Sequence, residues 1–193
     1  MREMINLPLR LALICAVAAL ALSRVDALTR EPIARAEAQA RRLAVEAVLP
    51  AFATLSEDTV GGADGPAAYV VGADADGPTG VAFTAVTGLG YSGEIEVMIG
   101  VDPQGVVRGV RILRHAETPG LGANYAAPDV LQAFYAGHGL EDRDWRVTKD
   151  GGQVDAITGA TVTGRAICDA LTAGLERFRA DRAELMGAVK EAP

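Results

Sequence analysis

Apolar residues are unevenly spread along the chain, and their spacing changes character three times. From Leu11 to Leu22 the sequence reads LALICAVAALAL without a charge. As a helix this run of about twelve residues spans roughly 18 Å, short of a ~30 Å hydrocarbon core. Ile5, Leu7, Pro8 and Leu9 extend it to about eighteen residues, with Arg10 placed where its stem can snorkel to the headgroups. The pattern predicts a retained transmembrane anchor over residues 1–28. A cleaved signal peptide is the competing reading, with Met1–Arg10 as the charged leader and Val25-Asp26-Ala27 as a weak cleavage site. Next, Thr29 is a candidate N-cap and Pro32 sits in the first turn of a connecting helix over 29–50. That helix carries Glu31/Arg35 and Glu37/Arg41 pairs at i,i+4, is continuous with or stacked under the anchor, and is closed by Pro50.

The period then shifts toward two. Val60–Gly80 is rich in Gly, Ala, Asp and Pro, which predicts turns around one short strand at Ala67–Val71. Asp74, Asp76 and Gly77 read as turn residues, because no glutamate follows at calcium-loop spacing. Strands are predicted over Val81–Thr87, over Gly93–Val101, where Glu94 and Glu96 alternate with Ile95 and Val97, and over Val106–Leu113 after a tight turn at Asp102–Gly105. His115–Tyr125 is irregular, Ala127–Ala136 is helical, Trp145–Thr148 and Val154–Ile157 read as short strands, and Ala160–Ala180 as an amphipathic helix. The expected class is α+β: an N-terminal transmembrane helix and a following helix, then a domain over 51–193 with an antiparallel sheet and packed helices.

Composition narrows the function. The 193 residues suffice for one compact domain plus extras. With 18 Lys and Arg against 25 Asp and Glu, the net charge is −7, so nucleic acid is excluded as a partner. Cys15 and Cys168 lie far apart and away from both histidines, which leaves no disulfide framework, CxxC site or His/Cys metal cluster. The sequence has no Rossmann-type glycine fingerprint, no P-loop and no cysteine set for an iron–sulfur cluster.

Two segments carry chemistry. Asp155-Ala156-Ile157-Thr158-Gly159-Ala160-Thr161-Val162-Thr163 places three hydroxyls where a strand gives way to the last helix, and a helix N-terminus offers unpaired N–H groups to a phosphate. A plain reading is that Thr158 or Thr161 only caps the helix. The second segment, His115-Ala116-Glu117-Thr118-Pro119-Gly120-Leu121-Gly122, presents backbone N–H groups, a carboxylate and an apolar side chain. It suits the edge and face of a flat heteroaromatic ring, or it is a rigid turn.

HAETPGLG followed by WRVTKDGGQVDAITGATVTGRAI resembles the FMN-binding domain of the G subunit of Rnf ion-translocating oxidoreductases. Its sister is the C subunit of the sodium-translocating NADH:quinone oxidoreductase. The resemblance runs from the anchor through Tyr91-Ser92-Gly93 to the last helix. It implies FMN joined through its phosphate to Thr161, with Thr158, Gly159 and Ala160 around the phosphate and Asp155 in the signal read by a flavin transferase. It also implies that Glu117, Thr118 and Leu121, with Tyr91, line the isoalloxazine, while His115 either joins them or is a core hydrogen-bonding residue. No residue of the chain is then catalytic in its own right, and no metal is implied. The implied role is a single-pass inner-membrane electron relay, its flavin domain periplasmic. Its partners are the other subunits of a complex that couples electron flow between ferredoxin and NAD to ion movement. The sister quinone-reductase subunit, a flavin domain serving sensing or extracytoplasmic electron transfer, and a non-redox anchored scaffold remain as alternatives. Gly164 stands where the family commonly has serine, and Asn124-Tyr125 replaces a more usual charged and aliphatic pair.

Overall fold

A computed structural model describes residues 2–62 and 65–191, with side chains described over 8–61 and 65–187. The chain divides into two units, 1–42 and 43–193. The first consists of most of α1 (Arg2–Val48). Its Leu9, Leu11, Leu13, Ile14, Val17, Leu20 and Leu22 are all exposed, and α1 is long and apolar enough to cross a membrane. No new helix starts at Thr29. Its hydroxyl donates to the Val25 carbonyl one turn back (2.9 Å), and Pro32, like Pro8, lies inside the helix. Arg30 pairs with Asp26 and Arg35 with Glu31 along the exposed face. The local cap signal is overridden because helical periodicity continues on both sides of it.

The second unit is built on a five-stranded antiparallel meander, β1 (Thr54–Gly62), β2 (Gly65–Asp74), β3 (Gly77–Gly90), β4 (Gly93–Val101) and β5 (Val107–Arg114), in sequential order. β1 lies mostly ahead of the Val60–Gly80 stretch, over residues for which no strand is predicted. Of its described side chains only Val60 is buried, and the ladder with β2 from Thr54↔Ala73 to Gly62↔Gly65 supplies what apolar alternation does not. β3 runs to Gly90, past the expected end at Thr87. The added residues deliver the Tyr91-Ser92 hairpin, closed by Gly90↔Gly93, to the site.

Across one face of the sheet lies α3 (Thr161–Glu191), burying Ile167, Leu171, Leu175 and Phe178 against Phe83, Ile95, Val97 and Ile99. Each such side chain is worth roughly 1.5–3 kcal/mol when fully buried. α2 (Pro128–Tyr135) packs on β5. Helix α3 continues well beyond Ala180, because buried Asp181 accepts hydrogen bonds from Tyr69 Oη (2.8 Å) and Arg177 Nε (2.8 Å), and Leu185 is buried beyond it. Ala44, Val45, Val48 and Leu49, at the end of α1, pack with Ala82 and Met98 in a second cluster. Gly100 and Gly109 make room there: a Cβ on Gly109 would lie 2.7 Å from Val48 Cα, and one on Gly100 would collide with the Val48 carbonyl.

Candidate functional site

Two tight turns face each other at one end of the sheet. The first is Thr118-Pro119-Gly120-Leu121, where the Leu121 N–H reaches the Thr118 carbonyl (3.1 Å) and Gly120 has φ +78°. Proline at the second position and a left-handed glycine at the third are the residues such a turn demands. The second is Ile157-Thr158-Gly159-Ala160, closed by Ala160 N–H to Ile157 O (2.9 Å), with Gly159 at φ +82°. A Cβ on Gly159 would stand 3.3 Å from Leu121 Cδ2, so the turns approach across this glycine.

Glu117 ties three segments together. It is buried; Oε2 accepts the Thr163 hydroxyl of α3 (2.5 Å), and Oε1 accepts the Ser92 amide of the β3–β4 hairpin (2.9 Å). Gly90 and Gly122 clear its surroundings, since a Cβ on either would approach a Glu117 oxygen to 2.9 and 2.5 Å. His115 supports the same loop, its Nδ1 accepting the Glu117 N–H (3.2 Å). Both carboxylate oxygens are therefore taken by protein donors, and Glu117 serves as the knot that brings the two motifs together.

The start of α3 is left open. Ala160 holds the position before the helix and has no side-chain oxygen to cap it, while the Thr163 hydroxyl is committed to Glu117. Ala160 N–H is spent on Ile157 and Gly164 N–H on Ala160 O, so the amides of Thr161, Val162 and Thr163 belong to the unpaired first turn. Thr161 is half-buried at the first helical position, and Thr158 and Gly159 are exposed beside it. Neither threonine acts as a cap. Donors without a competing oxygen, at the positive end of a helix dipole, fit a phosphate. Leu121, Val162 and Tyr91, all exposed, come from segments around this terminus and fit the apolar face of a ring.

The remaining sequence candidates have plain places. Thr118 starts the first turn, and Asp155 is exposed just before the second. The two short strands expected at 145–148 and 154–157 reduce to one parallel bridge, Val147↔Val154, because Thr148–Asp150 coils into a 3₁₀ turn ending in left-handed Gly151. Asp150 pairs with Arg165 on the second turn of α3 through two contacts (2.5 and 2.6 Å), which hold its carboxyl below the usual range. Arg146 does the same for Asp144, lowered to about 2. Among the described residues no cluster could hold a metal. Gly90 carries no signal in the sequence that marks it as part of the site, and Thr163, Ser92 and Gly122 lie in the motif segments without any sign of what they contact. Thr163 is the last hydroxyl of the first segment, and only folding brings it to Glu117.

Comparison with known proteins agrees with this geometry. Residues 90–176 match the FMN-binding domain family, a stretch containing both turns and the Glu117 knot. The G subunit of the ion-translocating oxidoreductase complex from Cereibacter sphaeroides is 37% identical over 188 residues, covering 92% of this chain and 85% of the relative. Its counterpart in Vibrio cholerae is 35% identical, covering 78% of each chain. The chain belongs to this family of ion-translocating oxidoreductase subunits. The crystal structure of NqrC from Shewanella oneidensis superimposes with a TM-score of 0.51 at 25% identity, covering 75% of this chain and 72% of that one. The chain therefore combines an FMN-binding domain with an α+β fold of meander sheet and packed helices, preceded by a long apolar helix.

Proposed function

We propose that the chain is the electron-relay subunit of an Rnf-type membrane complex, with FMN esterified through its phosphate to the Thr161 hydroxyl. The observation that carries this reading is the uncapped N-terminus of α3. Among the described residues the Thr161 hydroxyl has no hydrogen-bond partner, and it stands beside the three unpaired amides of the first turn. Thr158, Gly159 and Ala160 would flank the phosphate, and Leu121, Thr118, Tyr91 and Val162 would hold the ring. Asp155 is exposed where a flavin transferase could read it. FMN held there would supply redox chemistry between neighbouring subunits. The chain contributes the seat: amide donors for the phosphate, an apolar face for the ring, and a Glu117 knot that holds the two motifs together.

An ester at Thr161 is a tether, and the cofactor's potential is then set by the groups around its ring. A tether matters where lost flavin cannot be replaced, which supports a periplasmic flavin domain carried on a single-pass anchor formed by the apolar part of α1. Its partners would be the other subunits of the complex. Intact mass of the protein from its native membranes, with peptide mapping over Asp155–Arg165, tests the proposal. A gain equal to FMN less one water on Thr161 is expected; an unmodified chain from a host containing the transferase would refute it. Thr161→Val should give a folded, colourless protein within about 0.5 kcal/mol of the parent, because its hydroxyl makes no bond to lose.

A further inference from the structure

Tyr125 is fully buried, in the 3₁₀ segment Gly122–Ala126 that follows the Glu117 loop. Its ring packs edge-on against Phe134, with centroids 6.2 Å apart. Its hydroxyl oxygen accepts the Ile157 N–H at 2.8 Å, across more than thirty residues of chain. Ile157 opens the turn that ends at Ala160, and its carbonyl accepts the Ala160 amide that closes it. Tyr125 therefore grips the turn at its first residue.

Gly164 is the other half of the arrangement. A Cβ there would lie 2.5 Å from Tyr125 Oη and 3.2 Å from Cζ. Gly164 carries no left-handed φ, so the backbone itself does not ask for glycine. What asks for it is the phenol oxygen, which rests on the first turn of α3 where a side chain would otherwise stand. Tyr125 and Gly164 are thus one spatial unit.

We propose that Tyr125 is a positioning residue for cofactor attachment: its hydroxyl, seated over Gly164, pins Ile157 and so sets the turn that presents Thr161. The proposal rests on the FMN reading above, and the test separates the two. Tyr125→Phe, Gly164→Ala and the double variant are made in the full chain, co-expressed with a flavin transferase. Hydrogen exchange is followed in peptides spanning Asp155–Thr161, with peptides of β4 as the control for folding. The rate of FMN attachment is read by intact mass.

Tyr125→Phe keeps the ring and removes only the acceptor. It should speed exchange in the turn by roughly five- to fiftyfold and slow attachment, with β4 unchanged. Gly164→Ala should do the same while Tyr125 is present and add little once Phe has replaced it. Unchanged exchange in Tyr125→Phe overturns the proposal. So does faster exchange with attachment at the parental rate, or an alanine effect equal in both backgrounds. If the parent itself takes up no FMN, the functional reading falls; a flavinylated parent with indifferent variants defeats the positioning role alone.

Discussion

At the scale of single residues, the site depends on groups that satisfy one another before any cofactor arrives. Glu117 offers two oxygens to two donors on different segments. Thr163→Val deletes one donor and strands a buried acceptor, so a loss of about 1–3 kcal/mol is expected in denaturant titrations, with Thr163→Ser retaining most of the parental stability. Equal stability of Val and Ser variants would show that the hydroxyl does not matter. The TPGL and ITGA turns are legible in outline, since proline and glycine spacing announces a turn whatever surrounds it. Their mutual approach is not, because it is set by Leu121 meeting Gly159 and by Thr163 meeting Glu117, contacts with no signature in local order.

Among elements, the strands that alternate cleanly are legible and those held by ladders are not. β4 can be read over its full span because Ile95, Val97 and Ile99 face the core in strict alternation. β1 lacks any such face, and only its pairing with β2 makes it a strand. The last helix reads short because polarity rises after Ala180, whereas Asp181 is in fact buried against Tyr69 and Arg177. The meeting of α1 with the sheet is likewise unreadable, since glycines in strands usually signal weakness. Here Gly100→Ala would drive a methyl into the Val48 backbone, and a cost of about 1–3 kcal/mol is expected. Gly88→Ala, with nothing within 4 Å of the added carbon, is the control and should stay within about 0.5 kcal/mol. Matching losses at both positions would mean that strand propensity, and not the contact, sets the cost.

For the molecule as a whole, the buried titratable groups point to weakness in alkali. Burial pushes the Cys168 thiol up to about 12 and raises Tyr125 and Tyr135 as well. These groups are held neutral in the folded state while the unfolded chain ionises them nearer their ordinary values. Their contribution is thus complete below about pH 9 and lost as pH climbs toward 12. The thermal midpoint should fall over that window, and Cys168→Ala should flatten its first part; a slope unchanged by that substitution would remove Cys168 from the account. The same thiol should resist alkylation at pH 8 until the protein unfolds.

The glycine-lined seat of Val48 also decides where the chain can be cut. Ala44, Val45, Val48 and Leu49 belong at once to a long helix and to the second cluster beneath the sheet. A fragment beginning at residue 43 keeps that cluster closed and should express as a soluble monomer. One beginning at residue 51 bares Ala82, Met98 and the glycine floor, and should aggregate or melt markedly lower. A processing enzyme acting near Ala27 could release the domain unharmed, but a protease trimming to Pro50 would destroy it. The last turns of the helix are therefore inherited with the domain, whatever becomes of the segment before them.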